Sequence, residues 1–139
     1  MSTLVLTLRE SLRYKGKEGQ LAWFGHRLAG LGTLLFFVTH IIDTSWVYFA
    51  PKDYKLAIDL YRAAPFQIGE LFLMLAVIYH GVNGIRIAFM DWFPKLWKHQ
   101  RALTLGTFVL TAVLYAPAFY IMGGHALKNL YGIHIPGIE

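Results

Sequence analysis

No cysteine occurs in this chain of 139 residues. Disulfides and cysteine-held iron–sulfur or zinc centres are therefore excluded, and any metal must be bound by histidine or carboxylate. Charge is also scarce, at 15% of residues, and neither internal repeats nor low-complexity segments occur. With 56% hydrophobic residues and a mean hydropathy of +0.46, the composition is that of a membrane protein. Too little polar sequence remains for a separate soluble catalytic domain.

What the chain does have is long apolar runs. Ala102–Leu127 contains no Asp, Glu, Lys or Arg, which exceeds the roughly 20 residues that cross a hydrocarbon core about 30 Å thick. Leu28–Ile42, extendable through Trp23 and Phe49, and Phe66–Met90, with Glu70 and Arg86 near its ends, are two further candidates. The predicted fold is all-α, with three transmembrane helices at about 21–49, 66–92 and 102–124 inside a membrane domain spanning 21–127. A cytoplasmic segment (1–20) precedes it and a short tail (128–139) follows. Leu4, Leu8 and Leu12 recur at helical spacing among charged residues, so 1–20 is either an amphipathic surface helix or a frayed basic tail. Its few apolar residues before Arg9 fall short of a secretory signal core, and no cleavage is expected.

Basic residues set the expected orientation. Arg9, Arg13, Lys15, Lys17 and Arg27 flank the first span and Lys95, Lys98 and Arg101 fill the second link, against Lys52, Lys55, Arg62 and Lys128 on the other side. This bias puts the N-terminus and second link in the cytoplasm. The net charge of +5 then needs only cytoplasmic flanks and anionic headgroups to explain it, and no nucleic-acid partner is expected. Pro51, Pro65 and Pro94 fall in links, Pro117 is expected to kink the third span, and Pro51–Pro65 suits a short surface helix with Leu56, Leu60 and Ala63 on one side.

An ionisable side chain deep in a span costs roughly 2.5–3.5 kcal/mol, so each one calls for a partner, a cofactor or a cavity. On span two, Ala76, His80, Asn83 and Gly84 share one face, with Gly81 beside them. Two readings stand on spacing alone: a haem-ligating imidazole on a helix small enough to approach a porphyrin, or a histidine hydrogen-bonded within tight helix packing. Arg86 either meets a haem propionate or snorkels to headgroups. On span one, His26 and Arg27 stand at the cytoplasmic entrance, and His40 with Asp43 towards the other end. His26 and His40 are separated by about 21 Å of helix and cannot bind one iron. Asp43 either orients the His40 imidazole or forms a local pair with it. His99, His125 and His134 are expected to be exposed and receive no ligand role.

Two motifs, "HRLAGLG" from His26 and "YHGVNGIRIAFMD" from Tyr79, resemble the cytochrome b (membrane-anchor) subunit of succinate dehydrogenase, also called succinate:quinone oxidoreductase. Together with three spans and this length, they cover about the whole membrane region. The resemblance implies a heteromeric helix bundle in the cell's inner (cytoplasmic) membrane. A second membrane-anchor subunit, an iron–sulfur subunit and a flavoprotein subunit that oxidises succinate would be its partners. It implies haem b with His80 as axial ligand and His26, Arg27 and Arg86 at the propionates. Quinone, the substrate, would be reduced near Arg27, Trp23 and Asp91. A serine that the family can carry four residues before the arginine is Trp23 here, an indole in place of a hydroxyl. His40 is the candidate distal ligand should there be two haems rather than one. Two rivals remain at this stage: a fumarate reductase anchor using a low-potential quinol, and a haem-free helper subunit in which His80, Asn83 and Arg86 make a polar interhelical contact.

Overall fold

The structure is a computed structural model and describes residues 17–132. The leucine pattern at 4, 8 and 12 and His134 lie outside them. Four α-helices make up almost all of the described chain: α1 (Lys17–Phe49), α2 (Pro51–Tyr61), α3 (Ala64–Trp92) and α4 (Gln100–Tyr131), with a 3₁₀ segment, Pro94–His99, between α3 and α4. Three stretches, Glu18–Phe49, Pro65–Trp92 and Pro94–Asn129, are long and apolar enough to cross a membrane. The protein is thus all-α with three transmembrane helices, as its hydropathy predicted.

Local chemistry fixes the boundaries. Pro51 and Pro65 stand in the first turns of α2 and α3, where a missing N–H costs nothing. Phe93, directly before Pro94, leaves the helical region and ends α3. The third span outruns its expected end near residue 124: α4 continues through Pro117, Gly123 and Gly124 to Tyr131 and stops at Gly132, which takes φ 65° and donates its N–H to the Lys128 carbonyl. Each helix-interior glycine costs about 1 kcal/mol, less than exposing unpaired backbone groups to lipid. His125 is therefore helical, and exposed as expected; His99 is exposed in the 3₁₀ segment.

Among the described residues the buried apolar set is Ala22, Ala29, Met90 and Ala126, while Leu28, Leu31, Leu34, Leu35 and Phe37 of α1 are each more than half exposed. No soluble protein leaves such a surface bare; it belongs against lipid and partner helices. Thr33, Thr39, Thr44 and Ser45 satisfy their hydroxyls on carbonyls three or four residues back in α1, so they add no unpaired donor to that surface.

Few but specific contacts hold the helices together. Tyr79 of α3 donates to the Ala22 carbonyl of α1 (2.8 Å) and stacks on Phe108 of α4 (5.9 Å, 2°). Tyr115 of α4 donates to the Leu71 carbonyl of α3 (3.2 Å). Arg101 pairs with Glu18 (3.1 Å), so α1 and α4 start at the same end of the bundle. At the other end α2 turns Tyr54, Ala57, Ile58 and Tyr61 inward and leaves Leu56 and Leu60 exposed. Its Tyr61 hydroxyl donates to Asp43 of α1.

Candidate functional site

Where α1 and α3 cross, the imidazoles of His26 and His80 stack face to face, centroids 4.1 Å apart and planes within 8°. His80 Nδ1 lies 3.2 Å from the backbone carbonyl oxygen of His26. A carbonyl can only accept, so Nδ1 carries the hydrogen, and in the neutral ring it is then Nε2 that holds the lone pair, the arrangement in which an imidazole ligates a metal.

Gly30 makes room for this ring. A Cβ added there would stand 2.8 Å from His80 Cε1 and 3.0 Å from Nδ1, whereas one at Gly84 would be 3.6 Å from His26 Cε1. The tight approach to His80 thus comes from the small run on α1. The small face of α3 contributes less, since Gly81 has nothing within 4 Å.

A groove of about 550 Å³ opens beside these rings, lined by His26, Arg27, Gly30, Thr33, Leu34, Phe37 and His80. Its chemistry suits a flat, mostly apolar group with an anionic edge: an apolar wall from Leu34 and Phe37, a hydroxyl at Thr33, a cation at Arg27 and one available imidazole. His26 Nδ1 is enclosed with no protein partner and is not open to the groove. These residues fit a haem b as a half-site. Groups of three or more His, Asp or Glu able to hold a bare metal ion do not occur among the described residues.

The other candidate residues lie apart from this groove. Arg86 turns to α4, where Nη1 donates to the Thr104 hydroxyl, which in turn donates to the Gln100 carbonyl (2.8 Å). Trp23 is half-exposed and lies under the Arg27 guanidinium, 4.4 Å from ring centre to Cζ, a cation–π contact within one turn of α1. Asp91 is exposed at the end of α3. His40 is exposed and stacks on Phe36 (5.2 Å), and Asp43, expected to act on His40, is instead engaged by Tyr61 across the loop. Burial at the α3–α4 seam brings out residues the sequence reading passed over: Thr104, Thr107 and Thr111, all buried opposite α3. Their 3–4 spacing in a charge-free run was the available signal.

Residues 7–116 match the family described as the succinate dehydrogenase/fumarate reductase transmembrane subunit. The chain is 26% identical over 134 residues to the succinate dehydrogenase 2 membrane subunit SdhC of Mycobacterium tuberculosis, covering 93% of this chain and 98% of that relative. The stacked His26–His80 pair falls inside the matched segment, as do α1, α2, α3 and the first half of α4. This multi-pass membrane protein therefore belongs to the succinate dehydrogenase/fumarate reductase transmembrane subunit family, the membrane part of an oxidoreductase complex.

Proposed function

We propose that the chain is the cytochrome b-type anchor of a succinate:quinone oxidoreductase in the cytoplasmic membrane, with its N-terminus inside. In this reading His80 is an axial ligand of haem b and a second anchor subunit supplies the opposite one. The flavoprotein and iron–sulfur subunits deliver electrons from succinate. The observation that carries it is the His80 Nδ1 contact with the His26 carbonyl, which holds the ring and leaves Nε2 for iron. The relative's name, a succinate dehydrogenase membrane subunit, supports the direction from succinate to quinone.

When bound, the haem supplies a one-electron carrier next to the quinone site. The chain's own residues do the rest. His26 covers one face of the His80 ring, and Arg27 places a guanidinium at the groove's edge, suited to a propionate or to a quinone carbonyl gaining negative charge. Trp23 holds that guanidinium from beneath. Asp91 is exposed at the end of α3, outside the groove's lining, and its quinone role rests on the family resemblance alone. The propionate role implied for Arg86 requires its guanidinium to leave Thr104. His40 has no comparable support, since its neighbouring carboxylate is engaged by Tyr61, and the reading counts one haem.

The test is an oxidised-minus-reduced spectrum with a pyridine haem count on the assembled complex, alongside succinate-to-quinone and succinate-to-dye assays. His80→Leu is expected to remove the b-type band. Arg27→Leu should depress quinone reduction and spare dye reduction. A wild-type haem count in His80→Leu, or equal loss of both activities in Arg27→Leu, overturns the corresponding assignment.

A further inference from the structure

Asn83 is fully enclosed at 0% exposure, yet neither its Nδ2 nor its Oδ1 has a partner in the protein. One helical turn further on, the same face of α3 carries Arg86, whose Nε is also enclosed and unpartnered although its Nη1 bonds Thr104. The antiparallel register brings a third group to this level. Arg86 faces Thr104 and Tyr79 faces Phe108, so Asn83, between them on α3, lies at the level of Thr107 on α4. Thr107 is buried and donates its hydroxyl hydrogen to the Leu103 carbonyl (3.0 Å), which leaves its oxygen free to accept.

Leaving such groups unpaired costs about 1–3 kcal/mol each, and the hydrocarbon core offers no solvent to satisfy them. A side chain with no exposed surface cannot be satisfied by lipid or by a partner chain. The set also selects its ligand. The Arg86 charge repels a cation. An anion could accept from Nε and Nδ2 but would leave Asn83 Oδ1 and Thr107 Oγ1 without a donor. Water alone both accepts and donates, and buried waters typically make about three such bonds.

We propose that the α3–α4 seam binds ordered water between Asn83, Arg86 and Thr107. This water accepts from Arg86 Nε and the Asn83 amide nitrogen and donates to Asn83 Oδ1 and Thr107 Oγ1. It fixes one side of the Arg86 guanidinium while Thr104 fixes the other. Arg86 and Thr107 also line a groove of about 340 Å³ between the two helices, at whose edge the enclosed site lies; Asn83 is not part of the groove's lining. The site is independent of any cofactor at His80.

A high-resolution cryo-electron microscopy map of the assembled complex tests this directly, with melting temperatures of wild type and Asn83→Leu as the second measurement. The expected result is a density peak within hydrogen-bond reach of Asn83 and Arg86 Nε. Asn83→Leu should lose the peak and melt at a lower temperature, because the apolar side chain expels the water and strips Arg86 Nε of its partner. No peak in the wild type overturns the proposal. So does a higher melting temperature in Asn83→Leu, since that follows if the amide was never satisfied. If the leucine variant does not assemble, the wild-type map alone decides.

Discussion

A single added methyl group at Gly30 would stand 2.8 Å from His80 Cε1, while at Gly32, two residues on, it would meet nothing within 4 Å. Gly30→Ala must push the His80 ring away from the His26 carbonyl, at an overpacking cost of about 1–3 kcal/mol. We expect a lower haem-to-protein ratio and a lower melting temperature in the assembled complex, with Gly32→Ala matching wild type on both. Equal behaviour of the two variants would show that Gly30 does not seat the ring. The ionisable residues that line the groove beside this ring were legible in the sequence: His80 in the second span, where an ionisable group is costly, and His26 with Arg27 at the entrance of the first. Their mutual geometry was not. Spacing along one helix cannot reveal that His80 bonds a backbone carbonyl of another helix, because that depends on the register between α1 and α3. For the same reason, the Asn83 face looked small and polar in the sequence, and only the packing reveals that its amide is sealed in without a partner.

Among the elements, α2 depends most on a single bond. It is short, has no side-chain cap and buries none of its residues fully, so the Tyr61–Asp43 hydrogen bond is its main tie to α1. Hydrogen bonds to a charged group contribute about 1.5–3 kcal/mol. Tyr61→Phe is therefore expected to raise amide hydrogen exchange across 51–61 and leave that of α3 and α4 unchanged. The bond also holds the Tyr61 hydroxyl above its ordinary pKa of about 10, because the Asp43 carboxylate favours the protonated phenol, with burial and the carboxylate's charge adding to this. Between the unfolded pKa and this raised one the native state holds more protons than the unfolded state. The contribution is thus complete below about pH 10 and declines as pH rises from there through the folded pKa. Alkaline absorbance titration should show a late-ionising tyrosine that disappears in Tyr61→Phe; an unchanged titration would remove Asp43 as the cause. The helix itself was foreseen from Pro51–Pro65, but its docked face was not. Spacing puts Leu56, Leu60 and Ala63 on one side without saying which side is buried, and it is Tyr54, Ile58 and Tyr61 that face the bundle, since a leucine beside a bilayer is as well placed against lipid as against protein.

For the whole molecule, the bundle's two ends differ in charge, and the differences agree with its contacts. The Glu18–Arg101 pair ties the start of α1 to the start of α4, so the beginning of α1, at Lys17, and the basic residues of the 94–101 segment lie at one end. Lys52, Lys55 and Arg62 on and just after α2, with Lys128 late in α4, belong to the other. Transport of basic segments across the membrane is disfavoured, and on that ground we propose that the more basic end faces the cytoplasm. The chain's lack of cysteine makes this testable without background, because one introduced thiol is the only one in the subunit. Lys55 and Lys98 are both exposed, at opposite ends of the bundle. A membrane-impermeant maleimide applied to intact cells is expected to label Lys55→Cys, and to label Lys98→Cys only once the cytoplasmic membrane is opened. The reverse pattern would turn the bundle over and put the Arg27 end of the His26–His80 groove on the outer face, away from any cytoplasmic electron donor. Labelling of both thiols in intact cells would mean that α3 does not cross the bilayer. In that case Asn83 and His80 would no longer sit at membrane depth, and the energetic argument for both sites would lose its premise.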